Sequence, residues 1–225
     1  MYKFKIEESF KKGWELTKKH WATLVAAFLI TIAISFAIGL VSTLFMAAFQ
    51  SAPEIGTGIY VFLQLISTLI SLWTGYNLYK MMINMIDGVE VKALDVLYYS
   101  KDTANKLLKY IGGSLLLALV IIVGLICFII PGIYFSIRFM FVPMLIIDKN
   151  MGIMDSFKKS SEMTKGEIWH LIGFAFISFG IIIVGLIALL VGVIPAAILV
   201  SLTNVVVYRK LESHVHNLAA HTHTK

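Results

Sequence analysis

A short charged segment followed by two apolar runs, each on the scale of a bilayer crossing, occurs three times in this chain. The first and third charged segments nearly repeat each other at a spacing of 147 residues. Ser9, Phe10, Lys11 and Lys12 return as Ser156, Phe157, Lys158 and Lys159, and Glu15, Thr17 and Lys18 return as Glu162, Thr164 and Lys165. The second and third units match at a spacing of 61: the run from Ile121 to Ile126 returns as the run from Ile182 to Ile187. Asp87 stands the same 61 residues ahead of Asp148. Such self-similarity marks one supersecondary unit stacked on copies of itself. The units cover about 1–87, 88–148 and 149–212 of a single membrane domain, and 213–225 reads as a flexible tail containing histidines.

The unit is too apolar for water. Apolar residues make up 59% of the chain and charged residues 14%, against roughly 45–50% and about 25% in soluble domains. No stretch outside the apolar runs is long enough to build a separate soluble core, so no catalytic domain is expected. The single cysteine, Cys127, lies within an apolar run and reads as a small packing residue. The net charge of +6 is no nucleic-acid signal, because the basic residues are distributed along the segments where membrane topology places them.

A hydrocarbon layer of ~30 Å needs about 20 apolar residues per helix. Spans are predicted at 22–47, 59–84, 107–130, 133–147, 168–193 and 196–208, with Pro131-Gly132 and Pro195 at the turns of the second and third pairs. The first apolar run is longer than the roughly 7–15 residues of a signal peptide, and no clear cleavage site follows, so it is read as a retained span. Lysines and arginines crowd the N-terminal segment, the two inter-unit segments and the tail, while the opposite side carries only Glu54. The positive-inside bias then places both termini in the cytoplasm, in the cytoplasmic (inner or plasma) membrane of a prokaryote. The expected fold is all-α: six transmembrane helices as three parallel helical hairpins, each preceded by an amphipathic interfacial helix.

Ile6, Phe10, Trp14, Thr17 and Trp21 recur every three or four residues, with lysines between them. This is the pattern of a helix lying among headgroups, rings down, and ammonium groups such as those of Lys11, Lys12, Lys158 and Lys159 turned to anionic phosphate. The second lead segment, about 93–106, contains Tyr98 and Tyr99 and is nearly neutral.

Arg138 is the one charged residue well inside a predicted span. A central arginine costs ~2.5–3.5 kcal/mol on insertion scales, so something must offset it. Gln64, Asn77, Asn84, Asn204 and Glu54 are the candidate partners. Two readings stand: a cavity holding a lipid phosphate or other anion around Arg138, Gln64, Asn77 and Asn204, or an arginine that snorkels or pins helices. Pro143, five residues on, cannot donate to the carbonyl of Phe139, which predicts a short, kinked fourth helix. Gly112, Gly113, Gly124, Gly173, Gly180, Gly185 and Gly192 suit close helix approach.

No phosphate loop, nucleotide fingerprint or zinc-ligand spacing occurs, and no cofactor or metal is expected. His214, His216, His221 and His223 match no closed metal site. Asp148 and Asp155 would need a cleft and a substrate before they could act as an acid–base pair. Ser156, Ser160 and Ser161 lack a general base and read as capping and solvent-contact residues.

Pro131-Gly132-Ile133-Tyr134, Arg138, Pro143, Asp148, Ser156, Ser160 and Lys165-Gly166 together resemble a pattern of uncharacterised prokaryotic six-span membrane proteins. These are related to the membrane domain fused to some glycerophosphoryl diester phosphodiesterases. The resemblance is best over 120–210 and implies a six-helix membrane domain with a connection to lipid. It carries no catalytic site, since hydrolysis in the fused proteins belongs to a separate soluble domain. The expected role is a non-enzymatic scaffold or accessory subunit contacting membrane lipids, anionic phospholipid above all, or the protein subunits of a larger complex. The alternative is a transporter or lipid-handling protein with an anion site near Arg138. A membrane enzyme would require two carboxylates, such as Asp87 and Asp148, to meet in space.

Overall fold

A computed structural model describes residues 5–49, 53–98, 104–188 and 192–222. Among the described residues the chain is helical throughout, with no strand. Ten helices follow one another: α1 Ile6–Lys19, α2 Trp21–Ala48, α3 Pro53–Ile86, α4 Asp95–Tyr98, α5 Ala104–Cys127, α6 Ile129–Arg138, α7 Val142–Lys149, α8 Ile153–Thr164, α9 Ile168–Ile187 and α10 Val193–Thr222. Six stretches are long and apolar enough to cross a membrane: α2, most of α3, α5, α6 with α7, α9, and α10 as far as Val215. The chain is an integral, multi-pass membrane protein by the length and hydropathy of these helices.

Several boundaries differ from the sequence reading, each for a local reason. α5 stops at Cys127, three residues before the expected end, because Phe128 is extended. Pro131 then falls in the first turn of α6 and Pro195 in that of α10, where a missing N–H costs nothing. The fourth span is broken at residues 139–141, and Pro143 opens α7, as the lost donor to Phe139 required. Residues 213–222, expected to be flexible, continue α10 to Thr222. They contain no glycine or proline that would stop a helix. Tyr99 and His223 lie outside the described residues.

The two halves of each unit pack on one another: α2 on α3, α5 on α6, and α9 on α10. Lipid offers apolar surface as good as a neighbouring helix, so helix contacts in a bilayer depend on close backbone approach. The tips show this. A Cβ on Gly124 would lie 3.0 Å from the Gly132 backbone, and one on Gly185, its counterpart 61 residues on, would lie 2.7 Å from the Gly192 carbonyl. Large side chains such as Phe36, Phe62, Ile126, Phe176 and Ile187 are left exposed along the spans, as a lipid-facing surface demands.

The buried core sits toward the basic end. It comprises Met81–Met85 of α3, Phe141–Ile147 with α7, and Leu202–Leu211 of α10. Around it, each lead helix packs on the second helix of the preceding unit: α4 on α3, α8 on α6 and α7. The N-terminal α1 packs on α10, the last helix of the chain, and so closes the ring.

The docked faces of the lead helices are lined by small residues. α1 buries Ser9, Gly13 and Thr17, and α8 buries Ser156, Ser160 and Thr164, the same positions 147 residues on. The small residues face protein. Trp14 and Trp21 remain about half-exposed, Trp21 already belongs to α2, and Phe10 packs on Phe174 at 5.4 Å. Small side chains allow contact that an aromatic stripe would prevent: a Cβ on Gly13 would collide with the hydroxyl of Thr203. Lys11, Lys12 and Lys158 are exposed and Lys159 is half-buried beside Glu162.

Candidate functional site

Two polar constellations stand out, one around each of the chain's two arginines. α3 ends one residue before Asp87, and Gly88 follows in the left-handed conformation at φ 80°. α7 ends at Lys149, just after Asp148, and Asn150 follows at φ 52°. Glycine and asparagine are the residues that tolerate this helix-terminating conformation. Both aspartates therefore sit at helix C-termini, where the macrodipole disfavours negative charge. The residue a further 61 positions on is Arg209. No glycine or asparagine follows it, and α10 runs straight through.

Arg209 meets both aspartates. Its Nη1 donates to Asp148 Oδ2 at 2.7 Å and its Nη2 to Asp148 Oδ1 at 3.1 Å, a bidentate fork, while Nη2 also donates to Asp87 Oδ2. Tyr208 Oη donates to Asp148 Oδ2 at 2.8 Å, and the Arg209 guanidinium lies 5.6 Å from the Tyr208 ring centre. Lys149 joins Asp148 at 3.5 Å to Glu212 at 3.2 Å. Three repeat-equivalent positions thus converge, two at helix C-termini and the third within α10, and the third carries the opposite charge to the other two. Three like residues would repel; two aspartates and one arginine attract. The Asp87–Asp148 meeting does occur, but with a guanidinium held between the carboxylates. Asp155, the other carboxylate weighed as a partner of Asp148, lines a shallow surface depression with Met151, Lys158, Lys159 and Glu162.

Arg138 ends α6. Its carbonyl, otherwise unpaired at a helix terminus, accepts hydrogen bonds from Ser160 Oγ at 2.9 Å and Thr164 Oγ1 at 3.3 Å. Ser160 and Ser156 are therefore buried docking residues, not the solvent-contact and capping residues expected. Ser156 Oγ donates to the carbonyl of Gly152 at 2.8 Å. The Arg138 side chain turns outward: Nη1 donates to Tyr134 Oη at 3.0 Å, and the guanidinium lies 5.7 Å from the Tyr134 ring centre.

Of the polar residues proposed around Arg138, Gln64 and Asn77 are engaged elsewhere. Gln64 Nε2 donates to Tyr60 Oη at 3.2 Å on its own helix. Asn77, fully buried, donates to the carbonyl of Val96 at 2.8 Å and helps hold α4 on α3. The Oδ1 of Asn204 is buried without a hydrogen-bond partner among the described residues. Among those residues no group of histidine, cysteine, aspartate or glutamate could hold a metal ion.

A family model for the membrane domain of glycerophosphoryl diester phosphodiesterase matches residues 106–219. The chain belongs to this family. No curated protein and no solved structure matches the chain. The family region runs from α5 to α10, the second and third repeat units, and holds Arg138, Asp148 and Arg209. Asp87 and α1, which complete the clasp and the ring, lie before it. Arg209 was missed by sequence reasoning, although the 61-residue spacing from Asp87 to Asp148 extends to it directly.

Proposed function

We propose that the chain is a non-enzymatic scaffold or accessory subunit, embedded in lipid and associated with other membrane components. The observation that carries this reading is the Asp87–Arg209–Asp148 clasp. Both Asp148 oxygens and one oxygen of Asp87 are committed to Arg209, Tyr208 and Lys149. General acid–base work needs a group within reach of a substrate proton and free to exchange it. A clasp that ties the C-termini of α3 and α7 to the middle of α10 instead favours a rigid body.

By the positive-inside bias, the basic end with its lead helices faces the cytoplasm of a prokaryote, and both termini lie there. The exposed Lys11, Lys12 and Lys158 then face anionic headgroups. Reporter fusions at residue 225 and between residues 49 and 53 test this orientation; activity of a periplasmic reporter at the C-terminus would reverse it.

The scaffold reading is tested by gentle extraction from the native membrane and native mass spectrometry. A defined assembly with protein or lipid partners and no turnover is expected. A monomer that carries neither would refute it. A lipid-handling role is the second reading, favoured by one observation: Arg138 has no carboxylate partner among the described residues, although it lies within an apolar span.

A further inference from the structure

The chain has two arginines, and the fold treats them oppositely. Arg209 is stacked on a tyrosine and neutralised by two carboxylates. Arg138 is likewise stacked on a tyrosine, yet its described polar contact is only the Tyr134 hydroxyl. An arginine in an apolar helix is costly unless its charge is met. We infer that Arg138 and Tyr134 hold the phosphate of an anionic phospholipid.

The placement supports this in three ways. Ile130, Tyr134 and Arg138 are spaced four apart on α6 and share one stripe; Ile130 is 81% exposed and Tyr134 39%. This stripe faces outward, while Gly132 and Ile137 of the same helix are buried. The depth also suits a headgroup. Arg138 is pinned by Ser160 and Thr164, and Thr164 ends α8 just before α9 begins at Ile168. Arg138 therefore lies near the level where the fifth span begins, and Trp169, largely exposed there, is the kind of residue that marks a membrane interface. Finally, the donors fit. With Nη1 on Tyr134, the guanidinium keeps Nη2 and Nε for a phosphate oxygen pair, and the Tyr134 hydroxyl, accepting from arginine, can donate its own proton. Fork geometry of this kind is what arginine offers phosphate.

The inference rests only on the chain being embedded in a membrane, and not on its having protein partners. The test uses the purified full chain in nanodiscs of phosphatidylcholine with or without phosphatidylglycerol, released and read by native mass spectrometry for retained lipid. The wild type should retain phosphatidylglycerol in preference to phosphatidylcholine. Arg138→Gln should weaken that retention about tenfold, the usual worth of a charge-assisted hydrogen bond, with Arg138→Lys intermediate and Tyr134→Phe weaker than wild type. Neutralising Lys158 and Lys159 together should change it little, which separates a site from a diffuse basic surface. Unchanged elution and far-ultraviolet circular dichroism would show that the variants are folded; if Arg138→Gln is not, Tyr134→Phe and Arg138→Lys decide. Inorganic phosphate should not displace the lipid; displacement would assign the site to a free anion and overturn the lipid. Equal retention by wild type and the folded variants would overturn the site altogether, while leaving the scaffold reading intact.

Discussion

Replacing Arg209 with glutamine removes the cation that bridges Asp87 and Asp148. Asp148 is 11% exposed and Arg209 19%, so their fork is largely withdrawn from water, whereas Asp87 is 43% exposed. Breaking a buried ion pair by deleting one partner costs about 3–5 kcal/mol, and an exposed pair contributes about 0–1 kcal/mol. Tyr208 and Lys149 still contact Asp148, which keeps the expected loss near the lower bound, about 3 kcal/mol. That is roughly a hundredfold rise in the unfolded fraction. Equilibrium unfolding in mixed micelles, followed by tryptophan fluorescence, measures it. Arg209→Asp should be worse, since it assembles three carboxylates. The double variant Asp148→Arg with Arg209→Asp moves the cation from the third repeat to the second and keeps the charge set. If the positions are equivalent, it should recover about half of the loss or more. A glutamine variant within about 0.5 kcal/mol of wild type, or a swap no better than Arg209→Asp alone, would refute the clasp.

Gly13→Ala places a methyl group against the Thr203 hydroxyl; overpacking of about 1–3 kcal/mol should loosen α1 from α10 and speed proteolysis within residues 6–19. The paired change Ser160→Ala with Thr164→Val leaves the Arg138 carbonyl without its two donors. It should destabilise by about 1–3 kcal/mol, seen as an earlier unfolding midpoint, whereas Ser161→Ala should be close to neutral. His20, between α1 and α2, titrates below its ordinary 6.5, first because burial disfavours its charged form and then because Lys19 repels it. The folded state therefore binds fewer protons than the unfolded one, so this contribution is intact above that value and is lost as pH falls below it. The drop in unfolding temperature between about pH 8 and about pH 5 should shrink in His20→Gln; an unchanged drop would exclude His20 as its source.

Much of the site was only half legible. Arg138 was conspicuous because a charge in an apolar run is anomalous in composition alone. Its surroundings were not: Gln64, Asn77 and Asn204 are polar residues in the right spans, but Gln64 bonds Tyr60, Asn77 bonds Val96, and the Asn204 oxygen is buried without a hydrogen-bond partner among the described residues. The docking faces of the lead helices were not legible for a related reason. Periodicity in α1 identifies two faces but not which one docks, and Ser9, Gly13 and Thr17 win because a close-packed contact needs small side chains.

By itself the sequence determined what a bilayer imposes on each segment separately. Length and hydropathy specify six spans, Pro143 breaks the fourth, and the lysines mark one end of every unit, all through interactions local in the chain. Only the tertiary structure decided which surfaces meet. The closure of α1 onto α10 joins the two ends of the chain, and Arg209 is bonded across 61 residues to Asp148 and across 122 to Asp87. Such contacts depend on the angles at which helices pack. Those angles are set by side-chain volumes and backbone approach over the whole bundle, which no local pattern encodes.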